Sequence, residues 1–319
     1  MRLWALGFVI LVVSQPSPAA DNKKKNPDEI GNRDVGKGIN FYSLEKEIAM
    51  GRQLAEEVRR QGKLLDDPII GEYVNRIGQN LVRNSDAVVP FTFQIVEGDQ
   101  LNAFALPGGF VFINTGLIEA TESEAELAGA MAHEIAHVAA RHMTRQASRA
   151  QLVDYASLPL VLLGGWGGYA ARGAASVAIP MSFLSFSRGF ETEADMLGLQ
   201  YMYKAGYDPT ASIDLFERML SLQKRRPGAI AQVFNTHPMT EDRVVRTERN
   251  IAEMLKGRPE YVVTTSEFND VRDRLKTRYI ARKQEDPARP RLRKAPASQG
   301  EPAADSEDRP TLKRQDWVD

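Results

Sequence analysis

An α+β fold, mainly helical, with a small β-sheet placed ahead of one particular helix, is what this sequence predicts, and three observations predict it. Apolar residues recur at helical spacing through 44–81 and alternate at strand spacing through 91–98. They return to helical spacing after the capping box Ser123-x-x-Glu126. The helix that this box starts carries His133-Glu134-Ile135-Ala136-His137.

Residues 1–20, MRLWALGFVILVVSQPSPAA, hold one Arg, an apolar run from Leu3 to Val13 and then small residues, with Ser17 and Ala19 suited to a signal-peptidase site. Residues 1–19 are therefore expected to be a signal peptide, and the chain to be exported, to the periplasm; the run is short for a bilayer span. Residues 20–39 are polar and rich in turn formers, the composition of a flexible leader.

The main domain is expected over 40–283. Ser43 is an N-cap with Glu45 and Glu47 behind it, and Leu44, Ile48, Ala55 and Val58 share one face. Ile70, Val74, Ile77 and Leu81 mark a second amphipathic helix. FTFQIVEG (91–98) reads as a strand, and AFALPGGFVFINTGLI (103–118) as two short strands about a Pro-Gly-Gly turn.

Residues 152–187 are apolar but broken by Pro159, Gly164, Gly165, Gly167, Gly168 and Pro180, which leaves no uninterrupted transmembrane span. They fit a pair of core helices, or a lid or membrane-touching hairpin that offers a peripheral contact to a membrane or an envelope complex. Helices follow near 209–225, 240–256 and 266–284, with Gly206 as a C-cap. From 284 to 319 Pro, Ala, Ser and alternating charge indicate a disordered tail.

With 319 residues, 43% hydrophobic, the chain is long enough for one substantial core. A net charge of −1 calls for no polyanionic partner, so nucleic-acid binding has no support. There is no Cys, so neither disulfides nor a cysteine-linked lipid anchor contributes.

His133 and His137 are i and i+4, about 40° apart on a helix, and so converge on one ion. Composition alone produces a His-acid-x-x-His pattern with a probability of roughly 0.6%. His142, nine residues past His133, falls about 180° round the helix, on the far face, and reads as a surface or structural histidine. Catalytic zinc takes three protein ligands plus water, so another ligand is needed. The extension with Gly at 140 and His at 143 is closed, because Ala140 and Met143 stand there. Glu191 and Asp195 lie on one helical face, one able to ligate and the other to orient a ligating histidine, whereas Glu193 points about 160° from Glu191.

His133-Glu134-x-x-His137, N-A-F-A-L-P-G-G at 102–109, S-R-x-x-E-x-E-A-D at 187–195 and T-H-P at 236–238 occur in that order. Together they resemble the gluzincin family that includes HtpX, the CAAX prenyl protease and BepA. The resemblance covers roughly residues 40–255 and implies a zincin-like metallopeptidase domain with zinc, one per chain, on His133, His137 and Glu191, with Asp195 behind them. It also implies hydrolysis of peptide bonds in extended or misfolded proteins, in envelope protein quality control. The membrane helices of HtpX and the tetratricopeptide-repeat domain of the BepA type have no counterpart here.

In that reading Glu134 is the general base. His237 has three readings: a residue that begins the following helix, an oxyanion donor or, as the resemblance implies, a removable fourth ligand that keeps the enzyme latent. Arg188 and Arg243 are candidates for orienting carboxylates or substrate. Asn102, Ala103, Phe104, Phe110 and Phe112 are expected beside the cleft, where a strand edge binds substrate through its main chain. The alternative function is a chaperone-like protein that binds unfolded envelope proteins with little or no proteolysis.

Overall fold

The structure, a computed structural model, describes residues 23–163, 186–225, 237–238 and 240–285. The expected signal peptide, most of the 152–187 segment and most of the tail lie outside the described residues. The chain divides into a body, Met1–Arg278, and a second unit, Tyr279–Asp319.

The arm at 23–39 is where a flexible leader was expected. Its described course includes a short 3-10 turn, Pro27–Glu29, capped by the Asn26 side chain. Arg33 ties it to the body: its guanidinium donates to Asp86 (3.0 Å to Oδ2 from Nε), to Gln200 Oε1 (2.7 Å) and to Lys24 C=O (2.6 Å). The Arg33 and Asp86 side chains are each 1% exposed, and Tyr201 Oη also donates to Asp86. A buried bidentate pair with its remaining valences filled is the form in which a buried charge is tolerated.

Helix α1, Leu44–Gln61, starts where Ser43 Oγ accepts from the Lys46 amide. Helix α2, Pro68–Arg83, is capped by Asp67, which accepts from the Ile70 amide. Its stripe Ile70, Val74, Ile77 and Leu81 is buried, as the helical spacing demands.

Strands β1 (Thr92–Val96), β2 (Ala103–Leu106) and β3 (Phe110–Asn114) follow. The sheet order is β1-β3-β2, with β1 parallel and β2 antiparallel to β3. The β2–β3 turn puts Gly108 and Gly109 at φ 76° and 94°, where side chains are strained. The two short strands expected within 103–118 are both present, but after Asn114 the chain turns directly into a short helix α3, Thr115–Ala120, so the end of that segment, 115–118, is helical.

Helix α4, Glu124–Ala139, is the centre of the body. Ser123 Oγ accepts from the Glu126 amide, while Glu126 Oε2 reaches back to the Glu122 amide, so the capping box forms one residue out of register on its return bond. Apolar residues of α4 such as Leu127, Met131 and Ile135 pack in one core with Val74 and Ile77 of α2 and Ile113 of β3. Helix α4 ends at Ala140, and Arg141 takes φ 56° before α5, His142–Leu163, begins.

Helix α6, Arg188–Ala205, is capped by Ser187 and stopped by Gly206 at φ 92°. It lies against α4 so closely that a Cβ on Gly198 would stand 3.2 Å from the His133 amide nitrogen. Helices α7 (Ala211–Arg225), α8 (Glu241–Met254) and α9 (Ser266–Glu285) complete the described fold. Among the described residues no helix is long and apolar enough to cross a membrane.

Candidate metal centre

Helices α4 and α6 cross with the faces bearing His133, His137 and Glu191 turned toward each other. His137 Nε2 lies 3.0 Å from His133 Nε2 and 3.3 Å from Glu191 Oε1. His133 Nε2 is 3.5 Å from Glu191 Oε2. His237, just before Pro238, joins them: its Nδ1 is 3.3 Å from His133 Nε2 and 3.0 Å from Glu191 Oε1. One ligand atom from each of the four residues falls within 4.8 Å of all the others.

These separations test the fit of a metal. Ligands about 2.0–2.2 Å from a tetrahedral zinc are about 3.3–3.6 Å apart, close to the spacing found. Glu191 Oε2 is buried and accepts no hydrogen bond among the described residues, with Arg243 Nη1 at 3.4 Å and His133 Nε2 at 3.5 Å, so it retains a lone pair for a metal cation. Imidazoles and a carboxylate are the donor set of a zinc site, and these residues fit one.

The carboxylates have distinct jobs. Asp195 Oδ1 is 3.0 Å from His133 Nδ1, and both Asp195 oxygens accept from Arg243, at 2.6 and 2.9 Å. Burial alone would raise the Asp195 carboxyl, yet Arg243 and His133 hold it at about 2. Burial would likewise raise Glu191, but His237, His133 and His137 around it keep it far below the usual carboxylate range. Burial depresses His137. It would depress His133 too, but Asp195 and Glu191 push that imidazole up to about 10. A cation bound here would compete with that proton.

Glu134 is buried, and burial raises its carboxyl above the ordinary value. Its Oε2 accepts from the Ala105 amide of β2 at 2.9 Å, while Oε1 lies 3.4 Å from His237 Nε2 on the side of the ligand cluster. One oxygen is thereby fixed by the sheet and the other faces the ligands.

The remaining site candidates divide. Arg243 is 3% exposed and also donates to Pro238 C=O (3.2 Å), which links the carboxylates to the His237 turn. Arg188, by contrast, is exposed on the first turn of α6 and does not line the site. Asn102 and Ala103 line the hollow beside His133 and Glu134. Phe110 and Phe112 do not form its edge, because β3 is the middle strand, hydrogen-bonded on both sides, and Phe112 is 0% exposed. Phe112 instead packs with Phe104, ring centroids 5.3 Å apart.

The open edge belongs to β2. Asn114 donates to Asn102 C=O, so by antiparallel alternation residues 102, 104 and 106 face β3 while Ala103 and Ala105 face outward.

His142 is not a surface residue. It is 0% exposed, with Nδ1 2.9 Å from His137 Nδ1 and Nε2 3.1 Å from Glu193 Oε2. The left-handed residue Arg141 ends α4 and returns the chain against it, so the angle counted along an unbroken helix does not apply.

The model of Peptidase family M48 matches residues 69–250. The chain belongs to peptidase family M48. Relatives within M48 include the beta-barrel assembly-enhancing protease of Escherichia coli (strain K12), 30% identical over 84% of this chain and 55% of the relative, and that of Yersinia pestis, 32% identical over 68% and 46%. The mitochondrial metalloendopeptidase OMA1 of Saccharomyces cerevisiae is 37% identical over 45% of this chain and 41% of its own. The chain spans about half the length of these curated M48 relatives. The His133, His137, Glu191 and His237 cluster lies inside the matched region.

Proposed function

We propose that the protein is an exported zinc endopeptidase that cleaves extended or misfolded polypeptides, acting in the periplasm in envelope protein quality control. The observation that carries this reading is the convergence of His133, His137, Glu191 and His237 beside a carboxylate, Glu134, whose second oxygen is pinned by β2. The export pattern of residues 1–20 supports the location. The relatives named beta-barrel assembly-enhancing protease support an envelope role.

Bound at His133, His137 and Glu191, zinc would supply Lewis acidity, polarising the scissile carbonyl and acidifying the attacking water. Glu134 Oε1 takes the proton of that water and returns it to the leaving amine; its raised pKa suits a base that must also give the proton back. Asp195, clamped by Arg243, orients His133. Substrate is held extended against the outer edge of β2, through main-chain bonds to Ala103 and to the Ala105 carbonyl that are tolerant of sequence, while the Ala105 amide holds Glu134. The hollow next to Glu134, walled by Leu101, Leu117, Leu199, Leu215, Phe216 and Met219, suits a large apolar side chain beside the scissile bond.

The distances of His237 to His133 and Glu191 support the latch over the oxyanion donor: as a fourth ligand it would occupy the position that the attacking water needs. The test is casein cleavage by the mature protein with and without a chelator. Activity that chelation removes and zinc restores is expected. Activity indifferent to chelation would overturn the zinc reading, whereas no activity in zinc-replete protein, neither in wild type nor with His237 replaced, would support the chaperone-like alternative.

A further inference from the structure

The two ligand histidines are backed differently. Behind His133 stands Asp195 with Arg243, on the helix that also supplies Glu191. Behind His137 stands another imidazole. His142 Nδ1 and His137 Nδ1 are 2.9 Å apart, and a hydrogen bond between two ring nitrogens has room for one proton.

Which nitrogen carries that proton is decided one residue further back. His142 Nε2 faces Glu193 Oε2 at 3.1 Å, and an ionised carboxylate only accepts, so Nε2 is protonated. The neutral ring then offers a lone pair at Nδ1, and His137 must donate from its own Nδ1. His137 Nε2, facing Glu191 and His133, is left with its lone pair directed into the ligand cluster.

Glu193 is itself held from two directions. Arg145 Nη1 donates to its Oε2 at 3.2 Å, and Lys24 Nζ of the N-terminal arm to its Oε1 at 2.6 Å. His142 is further fixed by stacking on Phe190, ring centroids 4.5 Å apart.

We infer that His142 and Glu193 form a positioning relay for His137, secured by Arg145 and by Lys24 of the N-terminal arm, which sets the tautomer that ligates the metal. The inference rests on the zinc reading above. His142 and Glu193 are positioning residues and touch no substrate. Through Lys24, docking of the arm becomes part of the metal site, although the arm contributes no ligand.

The test is zinc affinity of the metal-free mature chain, by competition with a chelating dye, with folding followed by circular dichroism. His142→Phe keeps the ring and its stacking but accepts no hydrogen bond, and should bind zinc about 10–100-fold more weakly. His142→Asn, whose Oδ1 stands where Nδ1 was, should recover most of that loss. Glu193→Leu should fall with His142→Phe and Glu193→Gln should hold closer to wild type, since its amide oxygen still accepts. Lys24→Met should show a smaller loss in the same direction. In the zinc-loaded wild type, imidazole ¹⁵N spectra should show His137 protonated at Nδ1.

Wild-type affinity in folded His142→Phe, or no recovery in His142→Asn, would overturn the relay. Should His142→Phe not fold, the Glu193→Leu and Glu193→Gln contrast gives the same decision. A wild type that binds no zinc would remove the metal reading itself and the relay with it.

Discussion

Three of the four converging ligands and the fourth sit on different kinds of support. His133, His137 and Glu191 stand on α4 and α6, whose backbones meet at Gly198 and whose faces are buried. His237 stands on a turn before Pro238, and its ring is placed by Glu191 and Glu134 and by the hydrogen bond from Arg243 to the Pro238 carbonyl. Moving a helical ligand requires repacking a core, which is bistable at best and costly. His237 belongs to no described helix, so moving it breaks its own contacts with Glu191 and Glu134 without repacking the α4–α6 pair. In the proposed reading, that difference would make the metal site permanent in three positions and exchangeable in the fourth.

That contrast can be broken by substitution. Glu191→Ala should release zinc and abolish cleavage, read as zinc per chain by atomic emission; full metal content would take Glu191 out of the permanent set. Glu134→Gln should keep about one zinc per chain and lower kcat/KM by about 10²–10⁴-fold. Turnover near wild type there would end the general-base assignment.

His237→Ala should keep its zinc and raise basal casein cleavage, because the exchangeable position is opened. A fall of about 10²–10³-fold in turnover would instead make His237 an oxyanion donor. The smallest effect is expected from Gly198→Val, which overfills the α4–α6 contact: a loss of about 1–3 kcal/mol, seen as a lowered Tm. An unchanged Tm would mean that the helices part easily, and the permanence of their ligands would lose its physical basis.

Much of this was legible in the chain. The spacing of His133, His137, Glu191 and Asp195 places them on helical faces, and periodicity is a local property that a sequence states directly. The caps at Ser43 and Ser123 are local as well. What eluded sequence reasoning was set by tertiary placement. His142 was misjudged because one left-handed residue, Arg141, interrupts the helix from which its direction was counted. A non-glycine residue at positive φ carries little sequence signal. The substrate edge was assigned to β3 as well as β2 because strand order within a sheet is not written in alternation. Arg188 and Arg243 looked alike as candidates. Only packing distinguishes an exposed arginine from one 3% exposed and doubly bonded to Asp195.

Arg33 gathers the first described residues of the arm against the body. Besides Asp86 and Gln200, it draws in the carbonyls of Lys23, Lys24 and Asn26, at 3.2, 2.6 and 3.1 Å. An aminopeptidase must pull its substrate backbone into its own cleft, and from Lys23 onward that backbone is bonded inward. Aminopeptidase digestion should therefore stall near Lys23, visible as a ladder in intact-mass spectra that collapses to one species. Replacing Arg33 with Leu should let the ladder run on past Lys24.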